Sequence, residues 1–129
     1  WLVDDSYNAS PLSVTAAIET AKQLPAPRKI AILGDMLEIG PYAIEAHEAV
    51  GRQAAKVFDV LVTVGPRAKF AADAAYASGL AKRSITSVET VEDAIPVVQG
   101  LIRRGDLVLI KASRGIALDR LIEVVRQSP

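Results

Sequence analysis

Three short runs of β-forming apolar residues constrain this chain more than any other feature: Arg28–Leu33 (RKIAIL), Asp59–Val64 (DVLVTV) and Leu107–Ile110 (LVLI). Each is too short for a helix and nearly continuous in its hydrophobicity. That is the pattern of a strand covered on both faces, the kind found in parallel sheets. Gly34 and Gly65-Pro66 close the first two runs, while the third passes directly into Lys111. Between the runs lie segments with helix signals. Ser10-Pro11 supplies an N-cap followed by proline at the first helical position, and Pro25 and Pro27 stop that helix near Leu24. Gly40-Pro41 opens a second helix, with Ile44, His47, Val50, Ala54 and Val57 expected on one apolar face. Residues 67–78 form a third, ended by Gly79, and Thr90 with Asp93 caps a fourth. Leu2-Val3 reads as the end of a first strand, Ser84–Val88 as a weaker one, and residues 116–126 as a last helix.

Strand and helix in strict alternation, joined by short connections, imply right-handed crossovers and a mostly parallel sheet. The expected fold class is therefore α/β, a three-layer Rossmann-like domain with five or six strands, occupying residues 1–129 as a single domain. Half of the residues are hydrophobic but only 5% are aromatic, so the core must be built from Val, Ile, Leu and Ala.

Other classes fall away. Fifteen basic and fifteen acidic residues cancel, giving no electrostatic footprint for nucleic acid or an anionic membrane. The chain contains no cysteine, which excludes disulfides and thiolate metal sites and is compatible with a cytoplasmic location. No apolar run approaches the roughly 20 residues that span a bilayer. The opening Trp1-Leu2-Val3-Asp4-Asp5 has no signal-peptide character, and its abrupt start inside an apolar run reads as a fragment or processed product. Neither a P-loop nor a G-x-G-x-x-G turn is present, so a backbone phosphate cradle of either kind is not expected. One histidine argues against zinc, and no G-x-S-x-G elbow supports a hydrolase.

In open α/β sheets ligands bind beyond the carboxyl ends of the strands. Polar residues collect at those places here. Asp4-Asp5 after the first strand could accept hydrogen bonds from a ribose or bind a cation, or could simply cap a turn. Tyr7 and Asn8 add a stacking surface and an amide beside them. Asp35, after Gly34, could orient a basic side chain, and ordinary turn chemistry accounts for it equally well. Lys111, Ser113 and Arg114 precede a helix N-terminus, a combination that favours anion binding over structural salt bridging. His47 shares a helical face with apolar residues and is expected to be a buried, hydrogen-bonded histidine rather than a catalytic one.

In order and spacing, four segments resemble the C-terminal domain of the Mur ligases: Val3-Asp4-Asp5-Ser6-Tyr7-Asn8-Ala9-Ser10-Pro11, Leu33-Gly34-Asp35-Met36-Leu37-Glu38-Ile39-Gly40, His47 with Val50-Gly51, and Ile110-Lys111-Ala112-Ser113-Arg114-Gly115. The likeness covers essentially the whole chain, and its first two segments are those of the branch that joins D-alanyl-D-alanine to a UDP-N-acetylmuramoyl-tripeptide. Two positions depart from the family pattern: Ser10 stands where Asn is usual and Ala112 where Gly is usual. The resemblance implies an ATP-dependent, Mg²⁺-assisted ligase in peptidoglycan synthesis, with the P-loop and main metal ligands in a central domain and the UDP-sugar held by an N-terminal one. Both would lie outside this chain, and no cofactor is expected to bind it tightly alone. Asp5 would then contact the ATP ribose, with Tyr7 and Asn8 lining the nucleotide. Asp35, Lys111, Ser113 and Arg114 would lie near the incoming dipeptide or the phosphate charge, and His47 is a further candidate.

Two rival readings come from other classes. A phosphoacceptor receiver domain is imitated by Asp4-Asp5, Asp35, Thr63 and Lys111, but Asp35 follows the second strand, Thr63 lies inside a strand and Lys111 lacks a following proline. A ligand-free α/β interaction module would leave all of these polar exits without a task.

Overall fold

The computed structural model describes residues 2–4, 10–36, 40–112 and 119–127, and in it strands and helices alternate from end to end. They are β1 (Leu2–Asp4), α1 (Pro11–Gln23), β2 (Lys29–Gly34), α2 (Ala43–Val57), β3 (Val60–Val64), α3 (Ala68–Ala77), β4 (Ile85–Val88), α4 (Val91–Leu101), β5 (Leu107–Lys111) and α5 (Asp119–Arg126). Short 3-10 turns, Gly40–Tyr42 and Lys82–Ser84, precede α2 and β4.

The capping chemistry is what the side chains dictate. Ser10 Oγ accepts from Ser13 N at 3.1 Å while Ser13 Oγ accepts from Ser10 N at 2.8 Å, closing a capping box before Pro11. Thr90 Oγ1 accepts from Asp93 N at 3.1 Å and starts α4 in the same way. Serine at position 10 thus does the capping work of an asparagine.

All strand pairs are parallel, in the order β1-β5-β2-β3-β4. The sheet has five strands, four of them four to six residues long, while β1 contributes only three residues at one edge. Helices α1, α2 and α3 follow steps taken in one direction across the sheet and lie on one face. The return from β4 to β5 runs the other way, so a right-handed crossover puts α4 on the opposite face, joined there by α5.

Both faces of the central strands are therefore buried. Ala31, Leu33, Leu61, Leu107 and Leu109 pack under Val14, Ile18, Val50 and Ala54. Ile30, Ile32, Val62, Val108 and Ile110 pack under Val91, Val98, Leu121 and Ile122. Each fully buried Ile or Leu contributes roughly 1.5–3 kcal/mol of transfer free energy, which is why the strands are apolar throughout. Edge strand β4 is only partly buried and accordingly mixes Thr86 and Ser87 into its run. Ala112 is fully buried among the α4 and α5 side chains, so its methyl group fills core space. One expectation fails: Ile44 is 49% exposed. It stands one turn ahead of His47, the first buried residue of α2, so helical spacing gave its face but not where the buried part of that face begins.

Glycine at position 51 lets α2 and α3 touch. A Cβ there would stand 2.0 Å from the Ala71 carbonyl oxygen, and α3 answers with Ala68, Ala71, Ala72, Ala74 and Ala75 as its buried residues. At the amino edge of the sheet, Arg28 clamps Asp106 through Nε–Oδ1 (3.0 Å) and Nη2–Oδ2 (2.6 Å), and Arg28 Nη2 also donates to Leu101 O at 2.6 Å. Burial pushes the Asp106 carboxyl up. Hydrogen bonds from Arg28 and the Arg103 backbone N–H, with both positive charges, outweigh it and hold the group below the usual carboxylate range.

Breaking this nearly buried pair by Asp106→Ala is expected to cost about 3 kcal/mol in urea unfolding at neutral pH. Because the folded carboxyl titrates below the unfolded one, its contribution is present above the unfolded value and lost as pH falls through the folded value. Asp106→Asn should therefore flatten the loss of stability below about pH 4, measured by urea midpoints across the acid range.

Candidate functional site at the carboxyl edge of the sheet

Strand β5 enters between β1 and β2, yet its chain leaves toward α5 on one face while β1 and β2 lead to α1 and α2 on the other. Neighbouring strands that lead to helices on opposite faces make a switch point at the carboxyl edge, the kind of place at which such sheets bind ligands. Strands β1, β2 and β5 lie side by side there, and β3 runs alongside β2.

Asp35 sits at the β2 exit, 2% exposed. Its Oδ1 accepts from Ala68 N at 2.7 Å, and Arg67 Nη1 stands 3.5 Å from Oδ2. The carboxylate therefore caps α3, whose own N-cap residue, Arg67, makes no side-chain cap bond, and it meets the positive end of that helix. Gly65, at the β3 exit with φ +112°, makes room: a Cβ there would lie 2.5 Å from Asp35 Oδ1. So Asp35 does orient a basic side chain, and it performs turn chemistry as well, for a helix 33 residues further on. Arg67 was not anticipated from the sequence. Its side chain is 52% exposed at the rim, and its only signal was a position just after Gly65-Pro66.

His47 is 2% exposed and bonded through both ring nitrogens. Nε2 accepts from Met36 N at 2.9 Å, and Nδ1 lies 2.6 Å from Ala43 O. Since a backbone N–H can only donate, Nε2 carries no proton and Nδ1–H donates to the carbonyl. The expected buried, hydrogen-bonded histidine is what is found.

Lys111, last residue of β5 and in register with Leu33 of β2, is 1% exposed and is not without a partner. It lines a cavity of about 10 Å³ together with Gly34, Met36, His47, Val50 and Ala68, scarcely room for one water. The structure thus gathers the β2 exit, His47 and Lys111 around one small void, with Asp35 directed at α3. Asp5, Tyr7, Asn8, Ser113 and Arg114 lie outside the described residues. Among the described residues no three His, Cys, Asp or Glu side chains gather as metal ligands. None of the helices is long and apolar enough to cross a membrane, among the same residues.

The geometry defines an α/β domain with a parallel sheet and a switch point at its carboxyl edge, and the Mur ligase, glutamate ligase domain family matches residues 1–114. The chain belongs to this family. More particularly, it is 32% identical over 130 residues to the UDP-N-acetylmuramoyl-tripeptide–D-alanyl-D-alanine ligase of Bacillus subtilis (strain 168), covering 99% of this chain and 28% of that protein. With the enzyme of the same name from Treponema pallidum (strain Nichols) it shares 37% identity over 125 residues, 95% of this chain and 27% of the other. Two solved structures share the fold at 29% identity, each matched over 98% of this chain and 28% of its own: MurF from Acinetobacter baumannii (TM-score 0.83) and the MurF ligase from Thermotoga maritima in complex with ADP (TM-score 0.77). The chain spans about a quarter of the length of these relatives. The receiver alternative places its first strand inside a 2-1-3-4-5 sheet, whereas β1 here is an edge strand.

Gly65→Ala is expected to force the Asp35 carboxylate off the Ala68 N–H and to cost about 2 kcal/mol or more through crowding and the positive φ. Urea unfolding reads the cost, and faster hydrogen exchange at the Ala68 amide reads the displacement.

Proposed function

We propose that this chain is the C-terminal domain of an ATP-dependent ligase that joins D-alanyl-D-alanine to UDP-N-acetylmuramoyl-tripeptide, with the nucleotide- and sugar-binding domains supplied by the rest of a longer protein. The observation that carries the reading is the agreement, over nearly the whole chain, with ligases of that one name in several bacteria, and with solved structures of the same fold. Peptidoglycan precursor synthesis in the cytoplasm is the setting this reaction requires.

ATP, when bound, supplies the phosphoryl group that turns the tripeptide carboxylate into an acyl phosphate; the dipeptide amine then forms the amide and phosphate leaves. Most of that barrier is lowered by positioning and by charge opposite the phosphate. In this reading Asp5 accepts from the ATP ribose, Tyr7 and Asn8 line the nucleotide, and Ser113 and Arg114 face the incoming dipeptide or the phosphate charge. Lys111, engaged and buried at the β5 exit, sets the local positive potential from beneath. Asp35 shapes the carboxyl edge through α3 and Arg67. Mg²⁺ and the UDP-sugar belong to the upstream domains in cis.

The test mixes this chain with a separately produced protein carrying the two upstream domains of a matching ligase and follows phosphate release. Release that depends on D-alanyl-D-alanine, and that Asp5→Ala lowers by about 100-fold or more, is the expected result. Association of the two pieces without any dipeptide-dependent release would contradict the proposal.

A further inference from the structure

We propose that His47 is a positioning residue for the incoming amine component, holding the β2 exit in its working shape through a neutral ring protonated on Nδ1. The inference rests on the ligase reading above.

The argument starts from the Met36 backbone. Residues Asp35 and Met36 follow the last paired residue of β2, Gly34, and are no longer in the ladder. A buried N–H at that point needs an acceptor, and no strand offers one. His47 Nε2 fills the role at 2.9 Å, reaching back from α2 across 11 residues of sequence. The ring cannot turn away, since its Nδ1–H is held by Ala43 O at 2.6 Å and the side chain is almost fully enclosed. Met36 is itself 2% exposed in the first core layer, so this bond fixes both the backbone and a buried side chain. One residue earlier, Asp35 is fixed independently by Ala68 N. Two successive exit residues are thus tied to two different helices, α2 and α3.

Such double anchoring exceeds what a turn needs, because Gly34 already ends the strand. It fixes Asp35 and Met36 themselves, and it does so beside the cavity that His47 and Met36 share with Lys111. Groups that contact substrate from a loop gain most when the loop is rigid before substrate arrives. Proton transfer is not part of the role. Both nitrogens are spent on backbone atoms, and neither faces a reacting group.

The test uses the full-length ligase that carries this segment, comparing His47→Gln, whose Oε1 can accept from Met36 N, with His47→Leu and His47→Asn, which cannot reach it. Leucine and asparagine are expected to raise KM for D-alanyl-D-alanine about tenfold, because the freed Met36 N–H lets the β2 exit leave its working shape, with KM for ATP changed less than about twofold. Glutamine should restore the dipeptide KM to within about threefold of wild type. Hydrogen exchange at the Met36 amide, which does not depend on activity, should be slow in wild type and His47→Gln and fast in His47→Asn. If His47→Leu fails to fold, His47→Asn against His47→Gln carries the comparison. Equal losses in all variants, a fall in kcat alone, or unchanged Met36 exchange would overturn the positioning role. Absence of dipeptide-dependent turnover in the wild type would instead overturn the ligase reading.

Discussion

Placing β5 between β1 and β2 is the constraint from which the remaining architecture follows. The chain must travel from the far edge strand, β4, back across the sheet, and a right-handed crossover can do so only on the face that α1, α2 and α3 leave open. Once α4 has taken that face, every central strand is covered twice and must be apolar on both sides, as β2, β3 and β5 are. The same placement makes the switch point. β5 leads to α5 in one layer while β1 and β2 lead to α1 and α2 in the other, which marks the carboxyl edge as the place for a ligand.

The two edges of the sheet are then held by different means. At the amino edge a charged pair, Arg28 and Asp106, ties the start of β2 to the turn before β5. At the carboxyl edge, side chains grip backbone instead: Asp35 the first amide of α3, His47 the amide of Met36. Gripping backbone aims the chain itself, which suits segments that must present groups to a ligand. Gripping a charge with a charge closes a seam, which suits an edge that only has to stay shut. Both arrangements leave no buried polar side-chain atom without a partner among the described residues.

What could be read from the amino acids was whatever depends on near neighbours. Caps at Ser10 and Thr90, the strand runs ending at Gly34 and Gly65, and the burial of His47 all follow from residues within a few positions of one another. The misplacement of Ile44 marks where that logic stops, because helical spacing shows a face without showing where the neighbouring element begins. The partners of Asp35 and Asp106 lie 33 and 78 residues away, and neither pairing has a local signal. Arg67 escaped notice for the same reason. The candidate site was legible in a different manner: composition left Asp5, Asn8 and Asp35 ambiguous, and only their order within long shared segments singled them out.

The proposed ligase site lies at the carboxyl edge, where β5 meets β1 and β2. Hydrogen–deuterium exchange on the full-length enzyme, with and without a nonhydrolysable ATP analogue and UDP-N-acetylmuramoyl-tripeptide, tests it most directly. Ligand-dependent protection confined to residues 4–10, 34–40 and 111–118, with none along the α3–β4 edge lined by Asp73, Tyr76 and Lys82, is the predicted result. Protection along the α3–β4 edge with none at the three strand exits would contradict it.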